Sequence, residues 1–197
     1  MTLLMRWHAA LVSTLERAEW LLPTLARLLF AAILLKYFWV SALTKLGGGL
    51  FSPSLGAYAQ IFPREMEAAG YDTGQMSAYH TLVVLLGTWA EFVLPVLIII
   101  GLLTRLAALG MIGFVIVQTL TDLIGHGVLG EPETLGAWFD KMPDAVIMDQ
   151  RALWIFLLLV PVFRGAGPLS LDRLLLRNAT SARPASPQPG PAPRQAP

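Results

Sequence analysis

The chain has 197 residues, of which 55% are hydrophobic and only 14% are charged. Soluble domains carry roughly 25% charged residues, so this composition excludes a soluble globular protein. Cysteine is absent, which excludes disulfides and thiolate-held iron–sulfur clusters. The formal net charge of +1 is uninformative by itself, and its distribution along the chain is used below.

Residues 1–20 are predicted to form an amphipathic helix at the membrane surface. Glu16 and Glu19 interrupt the apolar core that a cleavable signal peptide would need. A helix packed as a cap on the rest of the protein is the alternative. The apolar residues of this segment recur at helical spacing, at Leu3, Leu4, Trp7, Leu11 and Leu15.

Residues 21–177 are predicted to form a transmembrane domain, because a spanning helix needs about 20 mainly apolar residues. The expected fold is an all-α membrane protein, a four-transmembrane-helix bundle preceded by the amphipathic helix. The fourth span reaches the required length only if Asp149 and Arg151 lie at headgroup level, where a cation can snorkel. The predicted spans are residues 22–43, 80–103, 106–124 and 145–163.

The connections between spans differ in length. The turn around Arg105 is so short that the second and third spans must be antiparallel neighbours. A short helix is predicted at 63–69 in the long first outer loop, and Ser170 is placed to cap an amphipathic helix, SLDRLLLR. Residues 178–197 form a Pro/Ala-rich stretch that is predicted to be disordered.

Basic residues indicate the orientation, because Lys and Arg concentrate in cytoplasmic loops. The other two loops hold fewer cations and most of the acids. Both termini are therefore expected in the cytoplasm, with the protein in the cell's inner membrane. The cations on the expected cytoplasmic side are Arg6, Arg17, Arg105, Arg164, Arg173, Arg177, Arg183 and Arg194.

Glu91 lies near the middle of the second span, where an ionisable side chain is expensive and points to function. Pro95 follows one helical turn later and cannot donate to the Glu91 carbonyl. Lys36 lies at a matching depth in the first span and is predicted to pair with Glu91. A ligand or proton site and a purely structural ion pair are both compatible with this pattern.

Further polar residues could extend this site. Gln118 and Asp122 in the third span are predicted to line a pocket with Lys36 and Glu91, and His80 and His126 are placed at its outer face. No residue spacing supports a metal site. Arg27 and Lys45 are expected to be structural cations that snorkel, and Pro95 and Arg105 are also assigned structural roles.

Three segments resemble the DoxX family of small integral membrane proteins. They are RLLFAAILLKYFWVSALTKL in the first span, TWAEFVLPVLIIIGLLTRLAAL in the second, and the exit Gly-Pro-Leu-Ser-Leu-Asp at residues 167–172. The resemblance implies a four-helix membrane bundle. Some family members resemble subunits of quinol-oxidising or thiosulfate:quinone oxidoreductase complexes, and others are linked to oxidative-stress assemblies.

The leading functional hypothesis is an accessory membrane subunit of a quinone-linked redox system, which is not catalytic alone. No cofactor is expected to be covalently bound, and a quinone is the candidate ligand. The alternatives are a small proton-coupled transporter and a membrane anchor for a soluble partner protein. The expected partners are the lipid bilayer and a redox or soluble protein; the basic tail favours anionic lipid over nucleic acid.

Overall fold

A computed structural model describes residues 2–181, which are mainly helical and contain one short β-hairpin. The hairpin pairs β1 (Leu46–Gly49) with the antiparallel β2 (Ser52–Pro53). The helices are α1 (Leu3–Arg17), α2 (Leu22–Phe30), α3 (Lys36–Lys45), α4 (Leu55–Ile61), α5 (Pro63–Ala68), α6 (Ala78–Ile100), α7 (Thr104–Leu120), α8 (Pro132–Leu135), α9 (Arg151–Arg164) and α10 (Leu171–Ser181).

Four helical runs within the described residues are long and apolar enough to cross a membrane, which confirms the predicted fold class. Wider π-helical turns at Ala31–Leu35, Thr121–Gly125 and Val146–Gln150 continue three of these runs. The first run joins α1, α2 and α3, and its spanning part corresponds to residues 22–45. The runs are Leu3–Lys45, Ala78–Ile100, Thr104–Gly125 and Val146–Arg164.

Helix α1 forms as predicted, and none of its residues is buried. Its apolar side chains remain exposed, including Leu4 and Trp7, so α1 does not pack as a cap on the bundle. A short 3₁₀ turn at Glu19–Leu21 separates it from α2. An exposed ion pair between Glu19 and Arg164, at 2.7 Å, links this turn to the end of α9. The amphipathic face is therefore free for a lipid surface.

The bundle core lies between the four spans. Helix α7 packs against α6 and α9, while α2 packs against α9 and α3 against α6. Phe30, Leu34 and Phe38 recur every four residues on one face of the first span and are fully buried. Met111 from α7 and Leu158 from α9 complete this core.

The turn between α6 and α7 makes these helices antiparallel, as predicted. Helix α6 ends at Ile100 because Gly101 adopts a left-handed conformation, with φ of 73°. The N–H of Leu102 then donates to the carbonyl of Leu97 at 3.0 Å. This glycine explains why α6 ends before Leu103, the predicted boundary.

The first outer loop is more structured than predicted. The expected helix at 63–69 is present as α5, but α4 was missed, although Ser54 caps it through a bond from the Ala57 N–H at 3.1 Å. Ala57, Tyr58 and Met66 form a second apolar cluster with Val84 of α6. The loop therefore packs against α3 and the first half of α6.

Helix α10 begins after Ser170, which accepts a bond from the Arg173 N–H at 3.3 Å, as predicted. The helix continues to Ser181 and so extends into the stretch 178–197 that was expected to lack structure. The remainder of that stretch lies outside the described residues, and its disorder stays a prediction.

Candidate functional site

A buried ion pair connects the end of the first span, at Lys45, with Glu91 near the middle of the second. The Lys45 ammonium lies 3.0 Å and 2.9 Å from the two carboxylate oxygens of Glu91. Lys45 also donates to the Ser41 hydroxyl at 2.6 Å, and Ser41 donates to Glu91 at 3.0 Å. Both charged residues are at least 95% buried. The three polar groups satisfy one another, as buried charges require.

The predicted pairing of Glu91 with Lys36 is wrong, and so is the expectation that Lys45 snorkels. Lys36 is exposed and faces away from Glu91. Two things were misjudged, the depth at which Glu91 meets the first span and the direction in which each side chain leaves the helix, because Glu91 contacts Ser41 and Lys45, which lie further along α3. Lys36 and Lys45 are nine residues apart, which is two and a half turns of a helix at about 3.6 residues per turn. They therefore lie on opposite faces of α3, and Lys45 shares the buried face with Phe38.

Pro95 lies inside α6, as expected, and the structure shows that it is buried. It offers no N–H to the carbonyl of Glu91. Thr88, one turn before Glu91, is also buried and donates to the Val84 carbonyl at 2.8 Å. Glu91 thus sits where α6 carries both an altered hydrogen-bond ladder and buried polar side chains.

A cavity of about 370 Å³ begins at this ion pair and opens between α6 and α7. Lys45, Glu91 and Ser41 form its polar wall, and Gln118 and Asp122 line it as predicted. Lys36 does not line it. The remaining wall is mainly apolar, and its exposed members lie within the spans, where they face lipid: Leu86, Gly110, Gly113 and Val117.

Gln118 carries an unsatisfied polar atom beside the cavity. Its Nε2 donates to the Tyr37 hydroxyl at 3.0 Å. Its Oε1 is buried and has no hydrogen-bond partner among the described residues. A buried polar atom without a partner costs free energy, so this amide is suited to a ligand with a hydrogen-bonding head group.

Asp122 is paired with Arg151 of α9, whose guanidinium also donates to the Thr119 hydroxyl at 3.1 Å. Arg151 is 96% buried. The expectation that it snorkels at headgroup level is therefore wrong, because an acid at the same depth neutralises it inside the bundle. The pair joins the third and fourth spans just after the end of α7, at the start of α9.

The two histidines at the outer ends have local structural roles. The Nδ1 of His80 accepts a bond from the Ser77 N–H at 3.2 Å, which caps the start of α6. The Nε2 of His126 lies 2.9 Å from the Gln60 carbonyl. Across residues 2–181, no three His, Cys, Asp or Glu residues are grouped to hold a metal ion.

Arg27 is buried, and the expectation that it snorkels is also wrong. Its Nε donates to the Ile98 carbonyl and its Nη1 to the Leu169 carbonyl, both at 2.8 Å. It also donates to the carbonyls of Ile99 and Ala166. Arg27 therefore ties the first span to the ends of α6 and α9. Arg105, by contrast, is exposed at the start of α7.

Asp172 lies outside the spans and completes the group of polar contacts around Arg27. It accepts bonds from the N–H groups of Leu103 and Thr104 at 2.7 Å and 3.0 Å, and from the Thr104 hydroxyl at 2.8 Å. Burial acts to raise the pKa of Asp172, but these hydrogen bonds and the charge of Arg27 outweigh it and hold the pKa below its ordinary value. The ionised carboxylate caps the N-terminus of α7.

Several site residues were missed at the sequence level. Ser41 and Lys45 are four residues apart, so both can face one neighbouring helix, and this spacing was a usable signal. The role of Arg151 could also have been predicted, because Asp122 in the preceding span is an acid with which it could pair. The unpartnered Oε1 of Gln118 could not have been predicted from the sequence, because only packing decides which polar atom lacks a partner.

The fold and the site together define a multi-pass α-helical membrane protein with a mainly apolar, lipid-facing cavity that has a buried ion pair in its wall. The DoxX family model matches residues 22–126, more than half of the chain. The chain belongs to the DoxX family. The match includes the first three spans with Lys45, Glu91 and Gln118. Comparisons with curated proteins and with solved structures found no match.

Proposed function

We propose that this protein is an accessory membrane subunit of a quinone-linked redox system, and that its cavity holds the quinone head group. The observation that carries the proposal is an apolar cavity that faces lipid and has polar groups at its inner wall. Quinones are apolar molecules with two hydrogen-bonding oxygens, and they reach proteins through the bilayer. A partner subunit would supply the electron-transfer cofactor.

The side-chain amide of Gln118, with one unpartnered atom, suits either redox form of such a ligand. Its Oε1 has no partner but is buried, so a small turn of the side chain toward the cavity would let it accept a bond from a quinol hydroxyl. With the amide flipped, Nε2 would face the cavity and donate to a quinone carbonyl, since the Tyr37 hydroxyl can serve as donor or acceptor. Lys45 and Glu91 already satisfy each other and supply a polar wall with no net charge.

The test is the binding of ubiquinone-1 to the full chain in lipid nanodiscs, with and without a variant that fills the cavity. A Cβ added at Gly113 meets no atom within 4 Å, so Gly113→Leu should fold and occupy the cavity. It should weaken binding about tenfold or more, as expected when a bulky side chain takes the ligand's space. Ile116→Phe, on the exposed face of the same helix, is the matched control.

Wild-type protein that fails to bind ubiquinone-1, or Gly113→Leu protein that binds as well as Ile116→Phe protein, would contradict the proposal. Proton flux through proteoliposomes made without quinone would instead support a proton-coupled transporter. A soluble protein that copurifies stoichiometrically, with no bound quinone, would support a membrane anchor.

We also propose that both termini lie in the cytoplasm and that the membrane is the inner membrane. The support is the distribution of charge. Arg17, Arg105 and Arg164 lie at the ends of spans on one side of the bundle, whereas α8 and the loops around it carry the acids Glu131, Glu133, Asp140 and Asp144 on the other.

A further inference from the structure

Lys36 is a charged residue on the lipid-facing side of a spanning helix. It is exposed, and it forms no hydrogen bond or ion pair with any residue in the described part of the chain. It lies nine residues before Lys45, or about 13 Å deeper along the helix at 1.5 Å per residue. A lone ammonium at this depth is costly unless something outside the chain neutralises it.

The groove that contains Lys36 has an amphipathic profile along the membrane normal. It measures about 600 Å³ and runs along the first span. Its deep end is formed by Ala32 and Ile33, which are apolar. Lys36 and Tyr37 follow, and Thr44 and Gln60 lie at the outer end. The polarity thus increases toward the surface, in the same order as in a phospholipid of that leaflet.

The groove also offers hydrogen-bond donors that the chain does not use. The Tyr37 hydroxyl accepts from Gln118, which leaves its proton free. The side-chain amide of Gln60 has no partner among residues 2–181. Together with the ammonium of Lys36, these groups match a phosphate, which accepts several bonds and carries negative charge.

We infer that this groove is a binding site for an anionic phospholipid of the leaflet in which α3 ends, with Lys36 as the residue that binds the phosphate. The polar lining lets the head group descend toward Lys36, and the ammonium extends up to meet it. The acyl chain lies against Ala32 and Ile33. This groove adjoins the quinone cavity, since Ser41 and Gln60 line both, but Lys36 lines only the groove and Lys45 only the cavity.

The test is native mass spectrometry of the full chain, titrated with phosphatidylglycerol or with phosphatidylcholine of identical acyl chains. Wild-type protein should prefer phosphatidylglycerol about fivefold, the contribution expected of one lysine near an anionic lipid. Lys36→Met should lose the preference and Lys36→Arg should keep it. Lys141→Met removes an exposed lysine from the outer loop and should behave as wild type.

A preference that survives Lys36→Met, or disappears in Lys141→Met, would overturn the proposal. Two competitors distinguish the source of the negative charge. Glycerophosphoglycerol, the soluble head group, should not displace the lipid, and displacement would show a plain anion site. Oleate binding that depends on Lys36, without phosphatidylglycerol binding, would show a carboxylate site instead. Thermal unfolding of each variant verifies that it is folded.

Discussion

Lys45 and Glu91 can be buried within the membrane because each neutralises the other. Removing two charges from water costs several kcal/mol per ion, and their attraction offsets this only with good geometry and further hydrogen bonds. Ser41 supplies those bonds, since its hydroxyl contacts both partners. The pair therefore fixes the first span against the second without leaving a net charge in the bundle.

We predict that Lys45 and Glu91 are energetically coupled and that Lys36 and Glu91 are not. Lys45→Met should destabilise the protein by about 3–5 kcal/mol, because Glu91 is left as a stranded charge. Adding Glu91→Gln should recover part of that loss. The measurement is a double-mutant cycle from unfolding in detergent. The cycle of Lys36→Met with Glu91→Gln is the control and should be additive; coupling there, and none for Lys45, would contradict the structure.

We predict that Arg27 is held by its shape as well as by its charge. Its guanidinium donates to four backbone carbonyls, including those of Ile98 and Leu169. Arg27→Met should destabilise the protein by roughly 3–5 kcal/mol, because these acceptors lose a charged donor. Arg27→Lys keeps the charge but not the planar fork, so thermal unfolding should place it between wild type and Arg27→Met. A lysine variant as stable as wild type would show that charge alone suffices.

At the level of elements, we predict opposite effects for two glycines. Gly101 ends α6 with φ of 73°, and an added Cβ would lie 2.5 Å from Ser170 Cβ and 2.8 Å from an Arg27 nitrogen. Gly101→Ala should therefore lower the unfolding temperature. Gly113→Ala lies within α7 in open space, and it should stabilise that helix by up to about 1 kcal/mol. Equal effects of the two substitutions would contradict the turn geometry.

We predict that the cap of α7 fails in acid. The folded-state pKa of Asp172 is depressed, so its contribution to stability is complete above the unfolded-state pKa, near 4, and is lost as the pH falls through the lower, folded-state value. The unfolding temperature should therefore drop below about pH 4 in wild type and less in Asp172→Asn. Glu133→Gln, at an exposed acid in α8, is the control and should keep the wild-type profile.

At the scale of the whole molecule, we predict that α8 and the end of α10 lie on opposite sides of the membrane. Four spans place both ends of the bundle on one side, and the basic turn at Arg105 lies on that side too. Reporter fusions after Ser181 and within 131–144 should give cytoplasmic and external signals respectively. Signals from the same side would mean that one of the four helices does not cross the membrane. Exchanged signals would mean that both termini are external.

Much of the fold could be predicted from the sequence. Apolar runs of spanning length located all four spans, and Ser170 and Pro63 marked the starts of α10 and α5. Helix α4 was missed because its length of seven residues is too short for a clear periodic pattern. Its burial comes from contacts with α6 and α3, which are distant in sequence.

The sequence by itself determined the number of spans, because each span needs an apolar run of about 20 residues. It did not determine which charges meet. Glu91 pairs with Lys45 and not Lys36, and Arg151 pairs with Asp122, because helix rotation and crossing decide which face meets a neighbour. Rotation is set by the packing of the whole bundle around residues such as Phe38, and only the tertiary structure contains that information.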